Sequence, residues 1–288
     1  MSQPQPELTT PSTAPLPNRT RQSASIPRRL ISEGKYHLLP VYALLTTSDL
    51  AREGIKNSGS FRFADHIYRN EPSGRFGVGR VLDRVLLKLR GARSMRSRFL
   101  HSRLEVLEAI EELERGRTVT VVSVPCGIAR DLFDVAETLR RSDRERYDNT
   151  RFVGIDIDPE PLGLSRELTR GHGRFEFECA DALQPGTIPK GVDVIVSLGF
   201  GEFLADGTLF DFYRRCLSAL RPGGRFITSA MSRDRLSDYL ARELAELHTH
   251  YRSTQQLSAL LTSAGFVTVR TTTDNVGLQT LAVAEKGQ

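Results

Sequence analysis

The sequence predicts an α/β protein: a mostly parallel sheet with helices on both faces, preceded by a helical segment. Three observations carry this. From about residue 117 onward, short β-branched and apolar runs alternate with stretches of helical period, the pattern of βαβ units. The last two runs are separated only by 274-DNVG-277, too short for a crossover helix, so they must pair as an antiparallel hairpin. Before residue 117, apolar residues recur at three-to-four spacing.

Length and composition set the frame. The 288 residues suit one large domain or a domain with an accessory segment, and 39% hydrophobic with 26% charged residues suits a soluble globular chain. No apolar run of about 18 residues is present, so no membrane span is expected. The start, MSQPQPELTT, lacks the apolar stretch of a secretory signal. Cys126, Cys179 and Cys216 are odd in number and widely spaced, which gives no zinc pattern and no disulfide framework; the cytoplasm is the expected compartment. The net charge of +5 is uneven: residues 1–30 carry +3 and residues 79–103 carry +7, leaving the body of the chain net acidic.

Residues 1–30, rich in Pro, Ser, Thr and Gln, predict a disordered tail. Residues 31–116 predict a helical cap, a substrate-binding segment. In it, LLPVYALLTTSDLAREGI has Thr47 or Ser48 as a candidate N-cap, FRFADHIYRN a short helix, EPSGRFGVG a loop, and RVLDRVLLKL and SRFLHSRLEVLEAIEELERG two amphipathic helices. Residues 117–288 predict the sheet domain, with strands at 118–124, 151–156, 174–181, 192–198, 224–230, 267–273 and 278–284.

The strand-to-helix junction 119-VTVVSVPCGIARDLFDV-135 carries the first chemical signal. A parallel strand ends in small residues, Pro125, Gly127 and Ala129, and a helix follows at once. Small residues let the backbone approach a ligand, and the helix presents its N-terminus. Strand two ends in 154-GIDIDPEPL-162, with Asp156 at its tip, where a carboxylate can accept from both hydroxyls of a ribose. Strand three ends in 179-CADAL-183, where Asp181 can take an adenine amino group beside the Ala182 amide. Strand four runs into 196-VSLGFGEFL-204, 221-RPGG-224 forms a turn entering strand five, and 264-AGF-266 precedes the hairpin.

In that order these motifs resemble the class I S-adenosylmethionine-dependent methyltransferases over about residues 117–286. The resemblance implies a Rossmann-like seven-stranded sheet of order 3-2-1-4-5-7-6 with strand seven antiparallel, and S-adenosyl-L-methionine as cofactor, leaving as S-adenosyl-L-homocysteine. It implies that Ser123, Pro125, Cys126, Gly127 and Ala129 line the methionine part. Asp156 with Ile157 would hold the ribose, Asp181 with Ala182 the adenine, and Ser197 and Leu198 would close the pocket at strand four. The loop departs from the usual pattern: Pro125 replaces the first glycine, Ala129 the third, and Ser123 stands where an acidic residue is common. Which side chain holds the cofactor's amino group is therefore open. SVPCGIARDL is similar to a branch acting on small molecules, and 59–83 with 89–99 resembles the helical cap of bacterial methyltransferases acting on small metabolites, the neighbourhood of methionine S-methyltransferase.

The residues expected to act on the acceptor follow. Glu202 and His248 are candidate bases, with Tyr251 beside them. Phe200, Phe203 and Tyr251 offer aromatic faces to a cationic methyl. Tyr68 and Arg69 can close over the site from the cap. Each has a bland alternative: a helix-start carboxylate for Glu202, surface packing for His248, His250 and Tyr251, an amphipathic helix edge for Tyr68 and Arg69. Asp156 and Asp181 can also be read as N-caps, and Cys126 as a small residue in a tight turn. No metal site is expected, since the H-x-H of 248–250 has no further ligands. Arg90, Arg93, Arg96, Arg98 and Arg103 spread around a helix and form no phosphate-gripping stripe; a solvated or ion-paired face, or a pocket for a carboxylate, is expected, and nucleic acid is not the expected partner. A small-molecule acceptor, nucleophilic at O, N or S, is expected; a nucleic-acid methyltransferase, a dehydrogenase and a cofactor-binding scaffold without activity are the alternatives, and a homodimer through the cap is the one assembly considered.

Overall fold

Residues 119–124 show how the sheet is specified. Val119 and Val121 enter the apolar layer on one face, Val122 and Val124 the layer on the other, because side chains alternate along a strand. Both faces are covered, so every second residue on either side must be apolar. The protein is described by a computed structural model covering residues 26–57 and 59–288. Its strands are β1 (Val119–Ser123), β2 (Thr150–Asp156), β3 (Phe175–Cys179), β4 (Val192–Ser197), β5 (Leu220–Met231), β6 (Thr268–Thr273) and β7 (Gln279–Glu285). They form one sheet of order β3-β2-β1-β4-β5-β7-β6. β1 to β5 pair in parallel, and β7 runs antiparallel between β5 and β6. This is the expected sheet.

Among the described residues, six helices precede the sheet: α1 (Ile26–Ser32), α2 (Leu38–Leu45), α3 (Asp49–Lys56), α4 (Phe61–Arg69), α5 (Val78–Leu87) and α6 (Arg90–Glu111). Six more lie within it: α7 (Arg130–Ser142), α8 (Arg144–Asp148), α9 (Pro159–Leu168), α10 (Asp206–Ala219), α11 (Arg235–Ala245) and α12 (Thr254–Ala264). A 3₁₀ turn spans Phe200–Phe203 after β4. The second half of α6 (Val106, Ala109, Ile110) packs with α7 on one face of the sheet. On the other face, α10 and α12 pack on Phe226 and Phe266. None of the helices among the described residues is long and apolar enough to cross a membrane.

The cap is organised by one carboxylate. Asp83, on α5, is fully buried and accepts from Ser48 Oγ (2.6 Å), Leu50 N (2.9 Å) and Ser73 N (3.1 Å), with His66 Nε2 at 2.7 Å. Burial alone would raise its pKa; these partners outweigh burial and hold it below the usual carboxylate value. Ser48 also caps α3, accepting from Ala51 N, which selects it over Thr47.

Several expectations change. Within the segment 1–30, expected as a disordered tail, Ile26–Leu30 belong instead to α1, where Ile26 and Leu30 are buried against Leu38, Ile55 and Leu244. Residues 1–25 lie outside the described residues. The second long cap helix begins at Arg90 rather than Ser97, so most of the arginine run is helical. The sequence 221–224 is not a turn before a strand but an irregularity within β5: Val192 pairs with Leu220 and Val194 with Arg225, so the extra residues bulge out. The cap is also not purely N-terminal, since α11 joins it through Leu244.

Candidate active site

The carboxyl ends of β1, β2 and β4 meet at one crevice. The Val124 amide donates to Val196 O (2.9 Å) and the Cys126 amide to Ile155 O (2.8 Å), which pins the turn after β1 over its two neighbours. Gly127 has φ +51, a left-handed conformation that side chains with a Cβ resist. Its amide donates to Asp156 Oδ2 (2.8 Å), and the Asp158 amide donates to Asp156 Oδ1 (2.9 Å). Asp156 thus shapes the loop from the tip of β2 and still faces the crevice. Asp181 is both a turn residue and a wall residue: Oδ1 accepts from Leu183 N (2.9 Å) and Oδ2 from Gln184 Nε2 (3.3 Å).

Between this rim and the cap lies a cavity of about 520 Å³. Ser123, Pro125, Cys126, Gly127, Asp156, Ile157, Asp181, Ala182 and Leu198 line it on the sheet side. Phe200, Glu202, Phe203, Tyr251 and Tyr68 line it toward the cap. Ala129 and Ser197 stand behind the wall, fully or nearly fully buried; the Ala129 amide donates to Ser165 Oγ (3.0 Å). Arg69 and His248 lie away from the cavity. Arg69 pairs with Glu71 at the surface and His248 is exposed, because each follows the outward side of its segment. The cap walls are largely apolar, with Leu50, Ile55, Phe63, Met95, Phe99 and Leu244 among them.

Three residues are essential to this geometry; Arg252 and Asp131 were not singled out in the sequence, and Arg98 was named only as one of a run of arginines. Arg98, 5% exposed, lines the cavity and donates through Nη1 to Glu202 Oε1 (3.1 Å) and through Nη2 to the Tyr68 hydroxyl (2.9 Å). Burial pulls its pKa down, but Tyr68 and Glu202 outweigh burial and hold it fully charged. Arg252 donates to Gly201 O (2.6 Å), Leu204 O (2.6 Å) and Asp206 (2.7 Å), fixing the turn that carries Phe200, Glu202 and Phe203. Asp131, in the first turn of α7, faces the cavity deep among protein atoms, and burial pushes its pKa up to about 6. The only sequence sign was its place two residues after the loop. No cluster of three or more metal-ligating side chains occurs among the described residues.

Other groups are held neutral. Burial first, then the Asp156 charge, push the Cys126 thiol well above its ordinary value. Burial and the Asp238 carboxylate, to which it hydrogen-bonds, push Tyr251 up to about 12.

A family described as "Putative methyltransferase" matches residues 45–286, which takes in the cap from α3 onward and the whole sheet. The chain belongs to this methyltransferase family. The class I methyltransferase fold expected from the sequence is the one this methyltransferase has. YnbC of Escherichia coli K12 is 25% identical to it over 233 residues, 76% of this chain and 39% of YnbC. A Mycolicibacterium smegmatis protein named "Probable S-adenosylmethionine-dependent methyltransferase" is 30% identical over 122 residues, 40% of this chain and 43% of that protein. This methyltransferase thus spans about two fifths of the length of these curated relatives. A solved Bordetella parapertussis structure, described as a possible exported protein, superposes with a TM-score of 0.73 at 24% identity, over 85% of this chain and 86% of that one. The apo structure of the S-adenosylmethionine-dependent methyltransferase SibL gives 0.53 at 16% identity, over 91% and 77%. These two likenesses are of fold.

Proposed function

We propose that the protein uses S-adenosylmethionine to methylate a small, mostly apolar molecule. The observation that supports this most is the single cavity joining the Gly127–Asp156–Asp181 rim to the apolar interior of the cap. The rim suits the cofactor: a Gly127 backbone that leaves room for close approach, carboxylates at the β2 and β3 tips for hydroxyl and amino donors, and a surplus of negative charge for a cationic ligand.

The bound cofactor would supply a methyl group already activated by a sulfonium, so the chain's own residues need mainly to align and enclose. Asp156 orders the loop from the tip of β2, on the wall of the cavity, where a carboxylate suits the hydroxyls of a diol. Asp181 and the Ala182 amide offer an acceptor and a donor at the third strand. Arg252 sets the turn holding Phe200 and Phe203 against the cap side of the cavity. Alignment of this kind lowers a barrier by roughly 7–11 kcal/mol in the best cases. Cap side chains exclude water from the reacting atoms.

Basic groups are scarce at the acceptor end. Glu202 is ion-paired with Arg98, Tyr251 keeps its proton to about pH 12, and His248 is outside the cavity. This favours an acceptor atom that needs no protein base: a thioether, a tertiary amine, or an oxygen or carbon acid that ionises readily by itself. Nucleic acid fits less well, since Arg98 is buried, Arg103 pairs with Asp134, and the cavity walls are apolar.

The test is methyl transfer from isotopically labelled S-adenosylmethionine into metabolite fractions and into RNA, alongside calorimetry with S-adenosylhomocysteine and NAD. Labelled organic-soluble product together with S-adenosylhomocysteine binding supports the proposal. NAD binding without S-adenosylhomocysteine binding, or label entering RNA alone, refutes it.

A further inference from the structure

The outer side of α5 carries an apolar stripe. Val78, Val81 and Val85 recur three and then four residues apart, so they share one side of the helix. With Leu89, at the junction to α6, they are 49–59% exposed. Arg80, Arg84 and Lys88, spaced by four, form an exposed row beside them. Just ahead of the stripe stands Phe76, 87% exposed, with φ +56. That backbone conformation is costly for a bulky residue. Bonds on either side hold it: the Arg75 amide donates to Thr47 O (2.9 Å) and the Gly79 amide to Arg75 O (2.9 Å). The fold thus fixes an aromatic ring in solvent.

The charge around the stripe is of one sign. Many exposed cations elsewhere are ion-paired, Arg115, Arg144, Arg151 and Arg270 among them. Arg75, Arg80, Arg84, Lys88 and Arg93 have no carboxylate partner among the described residues. The single acid between Glu71 and Glu105 is Asp83, and it is fully buried. Arg96 shows the crowding: burial first, then the neighbouring Arg93, pull its pKa below the ordinary value.

An apolar stripe flanked by cations suits an anionic bilayer. The side chains enter the headgroup region, and the cations meet lipid phosphates. A nucleic acid would engage the cations and leave the stripe in water. A second copy docked by the same face would set like charges against each other. The stripe is also continuous with the cavity, since Leu89 belongs to both and Leu86 lines the same wall.

We propose that the α5 face, from Phe76 to Leu89 with Arg80, Arg84 and Lys88, docks the protein peripherally on an anionic lipid bilayer. The docking stands on this surface alone. Its use rests on the methyltransferase reading above: it brings the cavity to a membrane in which an apolar acceptor dissolves.

The experiment is co-sedimentation of the full chain with vesicles of phosphatidylcholine alone and of phosphatidylcholine mixed with phosphatidylserine. The protein is taken as wild type, as Arg80→Gln/Arg84→Gln/Lys88→Gln and as Phe76→Ser/Val81→Ser, with thermal melting to confirm folding. Wild type should sediment with the anionic vesicles and not with phosphatidylcholine alone. The charge variant should bind the anionic vesicles about tenfold more weakly or worse, and the apolar variant should also lose about tenfold. No sedimentation of wild type with anionic vesicles, or equal sedimentation with both compositions, overturns the proposal even should a variant not fold. A dimer in solution that Phe76→Ser/Val81→Ser dissolves would then assign the face to a second copy. An unchanged charge variant places the attraction on other cations of the chain and overturns the assignment to α5. Loss in the charge variant alone, with the apolar variant unchanged, marks a surface for polyanions such as nucleic acid and overturns the bilayer. None of these readouts uses the cofactor, so their failure leaves the methyltransferase reading standing, and failure of methyl transfer leaves the docking standing.

Discussion

Arg98 Nη1 and Glu202 Oε1 lie 3.1 Å apart, joining the cap helix α6 to the turn after β4 in a place where the two side chains are 5% and 13% exposed. Removing one partner of a buried pair leaves an uncompensated charge, which costs about 3–5 kcal/mol. Glu202→Ala should therefore lower stability in urea unfolding by that order. The double variant Arg98→Met/Glu202→Leu should lose clearly less than the sum of the single changes. Additive losses would mean that the pair does not couple cap and sheet.

Asp131 links function to stability through pH. Its folded pKa, about 6, is above its ordinary value of 3.8. A raised acid stabilises the fold most when protonated, so its contribution is full below about pH 4 and is lost as pH rises through about 6. The gap corresponds to about 3 kcal/mol. Asp134, Ser123 and the neutral Cys126 thiol surround it without offering a cation. Asp131→Asn should melt at a higher temperature than wild type at pH 7.5, and the two should converge near pH 4. Equal melting temperatures at pH 7.5 would show that the carboxylate is not strained by burial.

Gly199 stands where β4 gives way to the site turn. It has φ +74, and a Cβ there would lie 2.9 Å from Arg98 Nη1. Gly199→Ala should displace the guanidinium as well as strain the backbone. Methyl transfer should fall by about tenfold or more, with a smaller fall in S-adenosylhomocysteine affinity, since the rim carboxylates Asp156 and Asp181 stand at the ends of β2 and β3. Calorimetry beside a transfer assay separates the two.

Tyr251 keeps its proton up to about pH 12. Tyr251→Phe should leave the shape of the rate-against-pH curve unchanged between about pH 6 and 10, whatever it does to the maximum. Loss of a limb of that curve would identify the phenol as a proton acceptor.

The sheet was legible because its strands are short, doubly buried and punctuated. The four residues between the last two runs left hairpin pairing as the sole geometry. Asp156 and Asp181 were legible because tips of parallel strands converge wherever the sheet is continuous. Arg98 was legible only as one member of an arginine run, since the face a helix buries depends on where the helix starts. Here α6 begins after Leu89, which makes no side-chain cap bond, so no N-terminal signature marks the start. α11 did carry a signature, Asp234 accepting from Ser237 N, yet its union with the N-terminal helices through Leu244 is a long-range contact that no local pattern records. Asp131 is an ordinary first-turn acid by sequence; only the cavity reveals which way it looks.

β7 has a consequence for how the molecule comes into being. It is the latest of the seven strands to be synthesised, yet it lies inside the sheet, bonded to β5 on one side and β6 on the other, with Gln279–Ala284 all buried. On the ribosome, the nascent sheet must therefore wait with an open flank, β5 exposed along its edge, until residue 285 has emerged. Ending the chain at residue 276 would remove an interior plank of the sheet, and β6 would be left with nothing to hold.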